Sequence, residues 1–269
     1  MIPEVILTLQ KTYSMHLIRY IFLVLVFLSM ETIAQDLRSG GKRKPVQDNM
    51  DIRHYLLSLD VDPASQTIRG YTDVSLILEK PSIAMLLDLW NGYTIEKVEV
   101  DGKQSAFTHK NDLIDIAGTH DWTAGKHLIR VYYGGKPGIA VRAPWTGGIQ
   151  WEKDSLGNPW IALTCQSEGA KIFFPCKDHP SDEPNEGAEL IITVPKGLVV
   201  AGPGLLQSVR NSKNRSTYHW KTNYTINNYC IVFNIGKFAE VTRPYTTVDG
   251  NTVPMVFYVL EEHRDKAAH

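Results

Sequence analysis

An excess of charge of either sign is missing from this 269-residue chain, in which 28 Lys and Arg stand against 29 Asp and Glu for a net charge of −1. Such a balance provides no field to draw the protein to nucleic acid or to an anionic bilayer, which excludes polyanion binding. Cysteine is scarce, with three in all. That count allows at most one internal disulfide, and no Cys-x-x-Cys pair marks a zinc ribbon. The chain has no Gly-x-Ser-x-Gly elbow, no phosphate loop and no cysteine with an evident histidine partner in sequence, so nothing in it offers a nucleophile. Internal repeats and low-complexity tracts are absent, and beyond residue 34 no segment holds a helical period for three turns. What remains is 43% apolar and 10% aromatic, enough to bury a core.

The longest apolar run, from Tyr20 to Leu28, is too short to span a bilayer comfortably; Arg19 and His16 precede it, and Thr32-Ile33-Ala34 follow. This layout predicts a signal peptide over residues 1–34, cut after Ala34, with an n-region already complete from Met15 as the expected start; an uncleaved anchor is the alternative. Export to a periplasm, cell surface or extracellular space follows. An oxidising compartment would favour a Cys165–Cys176 bridge and leave Cys230 spare, with three buried, reduced thiols as the other reading. Asn214-Arg-Ser and Asn223-Tyr-Thr match the glycosylation sequon.

Residues 35–50, with Gly40-Gly41 and Lys42-Arg43-Lys44, read as a flexible, solvated leader. From Ile52 the period becomes two. Arg53, Tyr55, Leu57, Leu59 and Val61 share one strand face, Asp62-Pro63-Ala64-Ser65 turns the chain, and Ile68 to Leu78 alternate in turn, predicting a long hairpin. Further strand-like runs lie at 85–90, 94–100, 113–117, 126–133, 188–194, 198–201, 217–221, 229–235, 240–243 and 253–260. The expected fold is all-β, a sandwich or saddle of packed antiparallel sheets over residues 51–262, with a frayed tail at 263–269. His263 and His269, six apart in that tail, do not share a helical face. Residues 134–187, rich in Gly, Pro and Trp, read as a long irregular segment, and such segments usually carry function.

Within that segment the stretch Thr164–Pro184, TCQSEGAKIFFPCKDHPSDEP, resembles the amino-terminal domain of the M1 (gluzincin) zinc aminopeptidases. Tyr55-x-Leu-x-Leu59-Asp-Val-Asp-Pro63 with Ile68-x-Gly70, and Gly147-Gly-Ile-Gln-Trp151 before Pro159-Trp160, extend the resemblance over residues 50–260. It implies a β-saddle packed on a thermolysin-like zinc domain, and it implies that Gln166 grips the substrate's free α-amine. A side-chain carbonyl can accept from an ammonium, and one fixed acceptor sets the register of cleavage from the peptide's N-terminus. Pairing with backbone at a strand end is the plainer role for Gln166. Glu168, two residues on, is a weaker substrate-binding candidate and equally suits an ion pair. Asp178, Asp182 and Glu183 suit a hard cation or a turn set against Lys177. Trp145, Trp151 and Trp160 suit stacking on a ligand or packing beneath the loop.

Catalysis in that family needs His-Glu-x-x-His on a helix and a Gly-x-Met-Glu-Asn strand. None of the nine histidines precedes Glu, and no Met lies between Gly two before it and Glu after it. The sequence therefore offers no catalytic residue and no metal ligand, and no cofactor is expected in this chain; zinc belongs to a catalytic domain outside it. The reading is the substrate-cleft domain of an exported metallo-aminopeptidase, inactive alone. Its partner when joined to that catalytic domain would be a peptide N-terminus, with no nucleic acid, and with membrane contact only through an uncleaved signal segment. A stand-alone secreted β-sandwich that binds peptide or glycan is the alternative.

Overall fold

The computed structural model describes residues 39–267 apart from Pro144 and Gln166. The expected signal peptide 1–34 with Met15, leader residues 35–38, Gln166, Ala268 and His269 lie outside the described residues. The predicted hairpin is the spine of the fold: β1 (Met50–Asp62) pairs antiparallel with β2 (Thr67–Leu78) along its length. Asp62 closes the turn, accepting from Ala64 N at 3.0 Å and from the Ser65 hydroxyl at 2.6 Å. One detail departs from simple alternation. The register slips between Ile52 and His54, a bulge that lets Ile52 and Tyr55 both face inward. Arg53, expected on the Tyr55 face, is displaced by this bulge and binds Asn185 at 3.0 Å, Asp51 at 3.2 Å and Glu186 at 3.3 Å.

On one side of this hairpin lie β8 (Gly125–Gly135), β4 (Tyr93–Val100) and β5 (Lys103–Gln104). On the other are β11 (Ala188–Pro195), β14 (Arg215–Thr222) and β13 (Leu205–Asn211), completing an eight-stranded sheet in the order β13-β14-β11-β1-β2-β8-β4-β5. Only β1 and β11 run parallel in it. A three-stranded sheet orders β3 (Ser82–Asp88), β7 (Leu113–Trp122) and β6 (Ala106–Lys110), and a four-stranded sheet orders β12 (Val199–Ala201), β15 (Asn234–Gly236), β10 (Pro159–Thr164) and β9 (Gly148–Lys153). One continuous core joins them, with Leu57, Leu76 and Ile129 from the large sheet meeting Leu87, Ile114, Ile161 and Ile235 from the smaller two. This is the all-β packing expected of the alternating runs. No helix among the described residues is long and apolar enough to cross a membrane.

Three expectations change. Residues 134–187 are not wholly irregular, because β9 and β10 form a hairpin there. Asp154 shapes its turn by accepting from Asn158 N at 2.7 Å and Leu156 N at 3.0 Å. Residues 229–235 do not form one strand: a 3₁₀ turn spans Asn228–Cys230, because the Asn228 side chain is buried and donates to Lys177 O at 2.8 Å, and β15 begins only at Asn234. Residues 39–49 are not free in solvent. They form α1 (Pro45–Asp48), with Gln47 buried and Lys44 Nζ 2.9 Å from Asp88. The chain ends in a hairpin of β16 (Phe238–Thr246) and β17 (Thr252–Leu260), which pair only with each other, and a last turn, α2 (Arg264–Ala267).

Over residues 172–178, between β10 and β11, the backbone is buried but in no strand, so its polar groups need other partners. Buried tyrosines supply them. Tyr93 donates its hydroxyl to Ile172 O at 3.1 Å, Tyr133 donates to Phe173 O at 2.9 Å, and Tyr55 Oη accepts from Lys177 N at 3.0 Å. Their rings pack edge to face, Tyr55 on Phe174 and Tyr93 on Tyr133, each with centroids 5.2 Å apart. Tyr55→Phe keeps the ring and orphans a buried N–H, so it is expected to lose about 1–3 kcal/mol in urea unfolding; a loss near zero would show that another acceptor replaces Oη.

Candidate functional site

The end of β10 delivers the chain into a short loop. Cys165 is buried, Gly169 N donates to Cys165 O at 2.8 Å to close the loop, and a 3₁₀ turn, Ala170–Ile172, follows. Gln166, inside this loop, lies outside the described residues, so only its neighbours are placed. Ser167 takes a φ of 67°, a region that L residues avoid unless the surroundings hold them there. Its hydroxyl donates to Trp145 O at 3.2 Å, tying the 142–146 turn to the loop. Trp145 is 63% exposed, contrary to packing beneath the loop, whereas Trp151 packs against the core. Glu168 is half-buried and has partners of its own in the fold.

Gly169 explains how tightly the loop is seated. Its φ is 81°, and a Cβ there would collide with the Asp178 carboxylate. Asp178 is buried, accepts from Ser39 Oγ at 3.1 Å, and has Lys171 Nζ 3.8 Å from its Oδ2. Its own N–H donates to Asp88 Oδ2 at 3.1 Å. Asp88, also buried, accepts from Gln47 Nε2 at 2.6 Å and Lys44 Nζ at 2.9 Å. Cys176 exchanges backbone hydrogen bonds with Asp88 at 2.7 and 3.0 Å. The 165–178 segment is thus pinned by tyrosines from one direction and by the Asp88 network from another. Sequence reading found Asp178 but missed Asp88, Gln47 and the tyrosine hydroxyls. An acid among the apolar residues of the Met85–Trp90 run was the available signal.

The other acidic residues form no cation site. Lys177 Nζ lies 2.7 Å from Asp182 Oδ2 and 2.6 Å from Met50 O, while Glu183 accepts from Asn227 Nδ2 at 3.1 Å. Among the described residues no group of three His, Cys, Asp or Glu could hold a metal ion, so this set does not fit zinc. The expected Cys165–Cys176 bridge is not formed. All three cysteines are free thiols, the first two buried and Cys230 exposed, which also corrects the reading of three buried thiols. Burial, with the charge of Asp178 added, pushes the Cys165 and Cys176 thiols up, away from reactive thiolate.

Burial and then the neighbouring Asp88 raise Asp178 to about 6, against opposing pulls from Lys171, Ser39 and the Ala170 amide. A raised carboxyl holds its proton in the fold after the unfolded chain has released it. Stability from this group is therefore full below about pH 4 and declines until about pH 6, by about 3 kcal/mol. Asp178→Asn is expected to gain that much relative to the parent between pH 4 and pH 7 in urea midpoints; a difference constant with pH would contradict it.

No protein-family model matches the chain. Its sequence is 27% identical over 215 residues to leukotriene A-4 hydrolase of Xenopus laevis, covering 75% of this chain and 34% of that one. It is 23% identical over 219 residues to aminopeptidase N of Lactobacillus delbrueckii, covering 79% of this chain and 24% of the relative. Among solved structures, the M1 zinc metallopeptidase of Deinococcus radiodurans superposes with a TM-score of 0.67 at 19% identity, over 81% of this chain and 48% of that one. Yeast LTA4 hydrolase in complex with bestatin gives 0.58 at 17% identity, over 79% and 32%. The chain thus spans about a third or less of the curated relatives and half or less of the matched structures. The relatives and structural neighbours of this chain are M1 zinc aminopeptidases, and its fold is that of their amino-terminal β domain.

Proposed function

We propose that this chain is the amino-terminal substrate-cleft domain of an exported, zinc-dependent M1 aminopeptidase, and that Gln166 accepts a hydrogen bond from the substrate's α-ammonium. The observation that carries the reading is the β16–β17 hairpin. An isolated two-stranded sheet is marginal in water, and this one exposes apolar side chains on both faces: Val253, Met255 and Phe257 at 40% each, and Val256 on the other face at 39%. Surface of that kind suits burial against another domain. The contacts that hold Ser167 and Gly169, which follow Gln166 in the chain, support the second half, since a residue that sets cleavage register needs held neighbours. Zinc, when bound by a catalytic domain, would polarise the scissile carbonyl and activate water; this chain would contribute orientation of the peptide.

Two outcomes are expected. The purified chain should bind an apolar dye and self-associate, and Met255→Lys with Phe257→Lys should sharply reduce both while shifting stability by about 0.5 kcal/mol or less per site; dye binding unchanged by the pair would place the exposed seam elsewhere. The purified chain with added zinc should not hydrolyse an aminoacyl anilide, whereas in an enzyme that carries the zinc domain Gln166→Ala should lower kcat/KM roughly tenfold to a hundredfold, the worth of one hydrogen bond to a charge. Zinc-dependent turnover by the chain alone would overturn the first statement, and an unchanged kcat/KM the second.

A further inference from the structure

Three large apolar side chains stand in solvent on the loop that leads into β9: Ile139 is 61% exposed, Val141 83% and Trp145 63%. Arg142 is the only charged residue from Pro137 to Gly147. Hydrogen bonds fix this loop, so it is not free to fold over its own side chains. Gly138 O accepts from Ile149 N at 2.8 Å, Ala140 N donates to Ile149 O at 3.2 Å, and Arg142 O accepts from both Trp145 N and Thr146 N at 2.8 Å. Gly148 permits the approach, since a Cβ there would collide with the backbone of Ile139 and Ala140. Apolar side chains that a fixed backbone holds in water gain from a partner that covers them.

Two contacts join the loop to the segment that carries Gln166. Ser167, the residue after Gln166, donates its hydroxyl to Trp145 O. Trp90, itself 38% exposed, lies beside Gly138, and its amide donates to Lys171 O at 2.9 Å. The apolar β16–β17 hairpin departs from a different place. Ser155 Oγ donates to Glu262 Oε1 at 2.9 Å, which sets the chain just past β17 at the β9–β10 turn, whereas the loop enters β9 at Gly148, about 17 Å away along that strand.

We propose that Trp145, with Ile139 and Val141 of the same loop, is a specificity surface of the peptide cleft, against which the substrate lays an apolar side chain from its second residue. The proposal rests on the proposed function in taking a peptide as the occupant. In an extended peptide each residue lies about 3.4 Å beyond the last, so an N-terminus held at Gln166 keeps the second residue near the Ser167–Trp145 contact. An indole offers that residue a broad, rigid apolar face, and a loop with one charge among eleven residues does not suit a charged side chain. The preferred substrates are therefore peptides with a large apolar second residue.

The test compares hydrolysis of Ala-Phe-Ala and Ala-Ser-Ala by the enzyme in which this chain is joined to its zinc domain. The parent is expected to favour Ala-Phe-Ala roughly tenfold in kcat/KM, and Trp145→Ala to erase that preference by slowing Ala-Phe-Ala alone. Trp145→Phe should keep most of the preference, and Val141→Ser, at a still more exposed position, should narrow it and keeps the test available if Trp145→Ala does not fold. Gln166→Ala is expected to slow both peptides alike, so the two readings fail separately: an unchanged rate in Gln166→Ala removes the amine anchor, while a preference still erased by Trp145→Ala upholds the apolar surface. Equal effects of Trp145→Ala on the two peptides, or none on either, would overturn the proposal, and equal slowing with a lower Tm would assign the loop to the seam between domains.

Discussion

A buried stretch of backbone outside any sheet is the constraint on which the rest of this fold depends. Residues 172–178 run through the core, and their amides and carbonyls have no ladder to join. Tyr55, Tyr93 and Tyr133, from three strands of the large sheet, and Asp88, at the end of β3, meet that requirement with hydrogen bonds of 2.7–3.1 Å. The large sheet, the three-stranded sheet and the 165–178 segment are therefore locked through one set of polar contacts inside an otherwise apolar core. Loss of one partner leaves another group buried and unpaired, so these contacts specify the segment's position more than they add to its net stability.

The same network shapes the loop that follows β10. Gly169 is required because the Asp178 carboxylate occupies the space of its Cβ, and Ser167 is held at a positive φ. Asp178 in turn is held through its amide by Asp88, which α1 contacts through Gln47 and Lys44. Residues far apart in sequence thus hold Ser167 and Gly169 in the loop that follows β10.

Much of the fold was legible in the sequence because a period of two with turn residues has few physical solutions. The 52–79 hairpin, the 188–194 strand and the all-β class follow from Leu57, Leu59, Leu76 and Leu190 facing one core. What escaped was non-local. The bulge at Ile52–His54 shows only as two apolar residues out of phase, and the failed strand at 229–235 depends on Asn228 reaching Lys177, 51 residues away. The segment 39–49 looked solvated because its anchors, Gln47 and Lys44, are polar, and their partner Asp88 lies about 40 residues on. Within the Thr164–Pro184 stretch, the groups that hold the buried backbone are ordinary tyrosines whose roles appear only in three dimensions.

Under the function proposed above, the large sheet and the exposed β16–β17 hairpin serve a domain that would present a peptide to zinc chemistry housed elsewhere. Reading the gene through and beyond the codon for His269, in every frame, tests that account most directly. The account predicts a continuation encoding Gly-x-Met-Glu-Asn and His-Glu-x-x-His, in frame or one shift away. A stop codon followed by an unrelated gene would contradict it and favour a stand-alone binding module.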